Sequence, residues 1–119
     1  MEKAVLEGLD RARRIVDIAS DKLAKDIVLL DACGVCSFAD YFVMVSGESP
    51  RQLGAIAEEI IHQLKQMGVY PLHREGTAES GWLLVDYGDI IVHIFAEVER
   101  QTYRLDEMWR EARPVLRID

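Results

Sequence analysis

Three short runs in this chain are apolar almost without interruption: Ile27-Val28-Leu29-Leu30, Tyr41-Phe42-Val43-Met44-Val45 and Ile90-Ile91-Val92-His93-Ile94-Phe95. A strand with one wet face alternates polar and apolar side chains. These runs do not alternate, so they predict strands covered on both faces. Asp26 and Asp31 bracket the first run, and the last is the most continuous, which places it centrally in a sheet. A sheet covered on both sides needs helices on both sides, so the expected architecture is layered.

The helical segments are legible by period. Val5, Leu9, Ala12, Val16, Ala19 and Leu23 recur at steps of four and three, opposite Asp10, Arg13, Arg14 and Asp17. This spacing predicts a helix over about residues 3–19, followed by a turn at Ser20-Asp21-Lys22. Ser49-Pro50-Arg51-Gln52 is a helix start: Ser49 as cap, Pro50 at the first helical position, and Gln52 completing a capping box. Leu53, Ile56, Ala57, Ile60, Leu64 and Met67 form its apolar stripe, and Gly68 is placed to end it in a left-handed conformation. Tyr70-Pro71-Leu72-His73 reads as a short edge strand, Gly76 to Gly81 as a polar loop, and Trp82-Leu83-Leu84-Val85-Asp86 as a strand. Tyr87-Gly88 is the turn of an antiparallel hairpin with the strand that follows. Leu105, Met108, Trp109 and Ala112 mark a C-terminal helix stopped by Pro114. The sum is an α/β/α sandwich, a single domain over residues 1–119 with one mixed sheet of about five strands.

Composition narrows the function. With 14 Lys and Arg against 21 Asp and Glu, the net charge is −7. Sequence-specific nucleic-acid binding is not expected, because a binder of the usual kind needs a basic patch to neutralise phosphates. An acidic surface is suited to a basic protein. No apolar run is long enough for a membrane span, and Met1-Glu2-Lys3-Ala4 lacks the pattern of a secretory signal, so the expected compartment is the cytoplasm. There Cys33 and Cys36 would remain thiols. Their single C-x-x-C lies five residues before a strand, with little room for the helix a redox thiol needs, and no second ligand pair of a zinc site is nearby. No metal and no cofactor is expected. His93 reads as a hydrogen-bonded core or rim histidine.

Catalytic readings are weak. Ser46-Gly47-Glu48-Ser49 precedes a helix and offers backbone N–H groups to a phosphate, but it is neither a G-x-G-x-x-G nor a P-loop. It is similar to the strand–Gly-Ser–helix opening of nucleotidyltransferases, which also need two carboxylates on the next strand to hold magnesium. The next strand reads Tyr70-Pro71-Leu72-His73-Arg74, without an acid pair. No G-x-S-x-G elbow presents a nucleophilic serine. The segment Glu75-Gly76-Thr77-Ala78-Glu79-Ser80-Gly81-Trp82 leaves two readings open. Trp82 fills a core among solvated acids, or the segment is a recognition edge in which an aromatic anchor is flanked by acids that select a basic partner.

The chain resembles the ribosomal silencing factor family, RsfS, also called the Iojap family. The resemblance rests on Ala39-Asp40-Tyr41-Phe42-Val43-Met44-Val45-Ser46-Gly47-Glu48-Ser49-Pro50-Arg51-Gln52, on Glu75-Gly76, and on the run from Ser80-Gly81-Trp82 through Asp86-Tyr87-Gly88-Asp89 to His93-Ile94-Phe95. It also takes in Arg100-Gln101-Thr102-Tyr103-Arg104-Leu105-Asp106-Glu107-Met108-Trp109 and covers about residues 4–112. It implies a nucleotidyltransferase-like fold without the catalytic carboxylates, and a non-enzymatic function. That function is to bind the large ribosomal subunit through ribosomal protein L-fourteen, block joining of the small subunit, and repress translation under nutrient limitation. The alternative is a factor for large-subunit assembly. Trp82 matches the family tryptophan at the ribosomal-protein interface. Glu75, Ser80, Asp86, Tyr87 and Asp89 match the motif around it and are the further partner-binding candidates. A homodimer of the free protein is the remaining partner the resemblance implies.

Overall fold

The computed structural model describes residues 8–34, 37–103 and 112–118. The order of elements is α1 (Gly8–Asp21), β1 (Lys25–Asp31), β2 (Tyr41–Gly47), α2 (Pro50–Gln66), β3 (His73–Thr77), β4 (Trp82–Asp86), β5 (Ile90–Ala96), α3 (Glu97–Tyr103) and β6 (Arg113–Ile118). The six strands form one mixed sheet in the order β3-β4-β5-β2-β1-β6. β2 and β5 run parallel, and every other pair is antiparallel. β5 is central, as its unbroken apolar character predicts, and β2 lies beside it.

The sheet has a sixth strand where the sequence predicts a helix stop. Pro114 lies in β6, opposite Leu30 of β1, where the register shifts. A proline is tolerated there because β6 is an edge and the ladder is already irregular. The expected C-terminal helix positions Leu105, Met108 and Trp109 lie outside the described residues; Ala112 is buried.

α1 and α2 lie on one face of the sheet. Ala12, Ile15, Val16, Ile18 and Ala19 of α1 and Leu53, Ile56, Ala57, Ile60 and Leu64 of α2 are buried with Ile27, Leu29, Val43, Val45, Leu83, Val85, Ile90, Val92 and Ile94. Truncating one of these large aliphatic side chains to alanine costs about 2–5 kcal/mol. Leu23 departs from the predicted stripe. Its backbone is left-handed (φ 64°) where the chain turns into β1, and its side chain is exposed. The α2 start forms as its sequence dictates. Ser49 Oγ accepts the Gln52 N–H at 3.1 Å, a cap worth about 1 kcal/mol. Gln52 Oε1 accepts the N–H of Glu48 at 2.6 Å, and its Nε2 donates to the Leu23 carbonyl at 2.9 Å. The start of α2 is thereby tied to the end of α1. At the other end Gly68 is left-handed (φ 82°), and the Val69 N–H reaches back to the Leu64 carbonyl.

The opposite face carries Val28, Leu30, Phe42, Met44, Ile91 and Phe95, with Trp82 and Leu84 packed against them. Ser46 shares this face by alternation. It is fully buried and takes a hydrogen bond from Arg100 of α3 at 2.9 Å; Arg100 also donates to the Asp26 carbonyl. Burial falls off toward one margin of the sheet. β5 is buried along its length up to its last residue, β4 alternates half-buried and buried, and β3 is exposed throughout.

Candidate functional site

The gradient toward β3 creates a groove. On β4 the side chains of Leu83 and Val85 point to α1 and α2, so those of Trp82, Leu84 and Asp86 point to the other face. β3 pairs Glu75 with Leu84 and Thr77 with Trp82. Facing residues in an antiparallel ladder share a side, so Glu75 stands beside the apolar pair. Glu75, Gly76, Ser80, Trp82 and Leu84 line a cavity of about 280 Å³.

The turn that closes this end is built from its own side chains. Ser80 Oγ donates to the Thr77 carbonyl at 2.8 Å, and the Ser80 N–H donates to Thr77 Oγ1 at 3.1 Å. Two glycines make the closure possible. Gly76 is left-handed (φ 83°), and a Cβ there would sit 2.1 Å from the Trp82 carbonyl oxygen. Gly81 has the same φ, and a Cβ there would meet the Glu99 carboxylate at 2.2 Å. A side chain at Gly76 would collide with backbone, and one at Gly81 would have to displace the Glu99 side chain; both positions also have the left-handed φ that favours glycine.

Trp82 is half-buried and fixed by rings. Its centroid lies 5.1 Å from that of Phe95 and 6.0 Å from that of His93. Its indole Nε1–H donates to His93 Nδ1 at 3.3 Å. His93 in turn stacks on Phe95 at 5.7 Å and on Phe42 at 6.1 Å. Burial lowers the His93 pKa to about 4, so the ring is neutral at pH 7. Glu75 pairs with His73 at 2.7 Å and keeps its carboxylate largely in water.

Of the six residues singled out by sequence, the structure brings three together and separates three. Glu75, Ser80 and Trp82 line the groove. Asp86, Tyr87 and Asp89 lie at the far end of β4, about 13 Å along the strand from Trp82. There they are engaged inside the molecule. Asp86 Oδ1 accepts the Gly88 N–H at 2.7 Å and holds the turn. Tyr87 is buried on the helix-covered face, where burial pushes its pKa up to about 12. Asp89 takes the Arg11 guanidinium through both oxygens, at 3.0 and 2.5 Å. Leu84 and Gly76 join the site without having been named as partner-binding candidates, and His93, read from the sequence as a hydrogen-bonded core or rim histidine, is buried and bonded to Trp82. Period two carries the missing signal: residues two apart on a strand share a face, so Trp82 on β4 implies Leu84.

The remaining motifs are absorbed by the fold. Ser49 caps α2 and Ser46 is buried against Arg100. Cys33 is exposed, and partial desolvation together with Asp31 and Asp40 raises its thiol to about 11, the reverse of what a reactive thiolate needs. Cys36 lies outside the described residues. Among the described residues no group of three or more His, Cys, Asp or Glu stands close enough to hold a metal ion, and no helix is long and apolar enough to cross a membrane.

The profile of the family described as "Ribosomal silencing factor during starvation" matches residues 6–119. The chain is 44% identical to the ribosomal silencing factor RsfS of Bacillus subtilis over 92 residues, covering 77% of this chain and 78% of that protein. A crystal structure of a Chromobacterium violaceum protein superposes with a TM-score of 0.84 at 30% identity, covering 87% of each chain. The mouse protein named "Mitochondrial assembly of ribosomal large subunit protein 1" is 29% identical over 98 residues, 80% of this chain and 43% of its own length.

Proposed function

The chain belongs to the ribosomal silencing factor family, and from that premise we propose that it binds the large ribosomal subunit through ribosomal protein L-fourteen and blocks joining of the small subunit. The groove beside Trp82 is the observation that supports this reading. An aromatic side chain with a polar edge, held in one orientation, stands next to Leu84 and the Glu75 carboxylate at an open margin of the sheet. Such an anchor with a polar rim is how protein interfaces concentrate their affinity. The net charge of −7 favours a basic ribosomal protein and disfavours bare RNA. The action is steric: a surface is occupied, and no bond is made or broken. Translation falls as a consequence, in the cytoplasm and under nutrient limitation. The free protein pairs through the same surface and gives up that contact on the ribosome.

The test is co-sedimentation with isolated large subunits, together with light scattering of subunit joining. Wild-type protein in excess slows joining. Trp82→Ala, still folded by circular dichroism, loses about 2 kcal/mol of binding, roughly thirtyfold in Kd, and no longer slows joining. Unchanged binding by folded Trp82→Ala removes Trp82 as the anchor. Normal joining in a large excess of wild-type protein ends the steric mechanism. The name of the mouse relative favours a second reading, assistance in large-subunit assembly. Accumulation of immature large subunits on depletion of the protein would support it.

A further inference from the structure

We infer that His93 is a positioning residue: its Nδ1 holds the Trp82 indole in the one orientation that presents the anchor to the groove. The inference rests on the reading of Trp82 as an anchor. Its starting point is a residue that packing alone does not explain. β5 reads Ile-Ile-Val-His-Ile-Phe-Ala, and His93 is the polar member of a buried apolar strand, 7% exposed. A phenylalanine or leucine would fill the same space without the cost of burying a polar ring.

The geometry shows what the imidazole adds. In the sheet, His93 lies between Met44 of β2 and Leu84 of β4. Phe95 lies nearly parallel to its ring, at 11°, and Phe42 at 26°, so the imidazole plane is clamped. Its Nδ1 faces the indole Nε1 at 3.3 Å. An indole nitrogen only donates, so Nδ1 is the acceptor and the ring proton resides on Nε2. Burial keeps the ring neutral throughout the physiological range, so the acceptor is always available. Trp82 is then restrained by Phe95 against its face and by His93 at its nitrogen. An anchor already held in its bound rotamer loses less entropy on docking, which raises affinity without any new contact to the partner.

The test is a double-mutant cycle on the full chain, read as Kd for isolated large subunits. His93→Phe keeps an aromatic ring and removes the acceptor. Trp82→Phe keeps a ring and removes the N–H. His93→Phe weakens binding about fivefold, the size expected for one lost hydrogen bond, and adds nothing in the Trp82→Phe background. In the same variant the Trp82 indole N–H loses its protection from hydrogen exchange in NMR spectra, while the unfolding midpoint stays close to that of the wild type. His93→Leu replaces His93→Phe if the latter does not fold. Wild-type affinity in a folded, acceptor-less variant overturns the inference. So does a fivefold loss that persists in full in the Trp82→Phe background. If Trp82→Ala binds as wild type, the anchor reading itself has failed, a result the cycle separates from failure of the positioning role alone.

Discussion

Similar residues flank the two ends of β4, and the fold does opposite things with them. At one end an aromatic ring and a carboxylate, Trp82 and Glu75, border a groove. At the other, Tyr87 and Asp89 again provide an aromatic ring and a carboxylate, but the ring is inside the core and the carboxylate is closed by Arg11. The difference follows from the pleat and from what covers each face. Trp82 points to the face away from α1 and α2, at the margin where β3 is exposed. Tyr87 follows β4 at the turn and falls on the helix-covered side. Residue type alone does not decide which side chains border a groove; face and neighbouring layer do.

This contrast breaks if the turn end governs binding or the groove end governs the core. Tyr87→Ala should lose about 3 kcal/mol or more of stability in chemical denaturation and leave subunit affinity of the folded fraction unchanged. Tyr87→Phe should be neutral or stabilising, because among the described residues the Tyr87 hydroxyl is buried without a hydrogen-bond partner. The groove end has a pH signature of its own. His93 titrates near pH 6.5 in the unfolded chain and about 4 in the fold. Between those values the unfolded chain binds a proton that the fold refuses. The histidine's contribution, complete above about pH 6.5, is therefore lost as pH falls to about 4, by up to about 3 kcal/mol. Urea titrations across that range should show this slope in wild type and its loss in His93→Phe.

Smaller effects sharpen the comparison. Asp89→Ala removes a two-point ion pair and should cost about 1 kcal/mol of stability with no change in Kd for large subunits. A weakened Kd in that variant would move the docking surface to the turn. Glu75→Gln should do the reverse. Stability stays within about 0.5 kcal/mol, while association slows and loses salt dependence, an effect of less than about 1 kcal/mol seen in stopped-flow rates.

Much of the fold was legible because local rules and tertiary demands coincide in it. The α2 cap, its stripe from Leu53 to Leu64 and its Gly68 terminus are each set by neighbours within a few residues. The central strands announce themselves by unbroken apolar runs. β6 was not legible, because an exposed edge strand needs no apolar pattern and Pro114 argued against any strand. The edge strand expected at Tyr70-Pro71-Leu72-His73 lies instead at His73–Thr77, so Tyr70 to Leu72 are not strand and Gly76 and Thr77, expected in a loop, are. A left-handed glycine reads as loop until its cross-strand partner Leu83 is known.

By itself, the sequence determined the layered α/β architecture, the capped second helix, the net charge of −7 and membership of a family. Those depend on composition and on order along the chain. Only the tertiary structure decided that Glu75, Ser80 and Trp82 share a groove, that Asp86, Tyr87 and Asp89 lie away from it in contacts within the molecule, and that His93 meets the Trp82 indole. Each of these depends on which face a strand residue takes and on which strand lies beside it, and pairing across a sheet is set by the whole packed molecule.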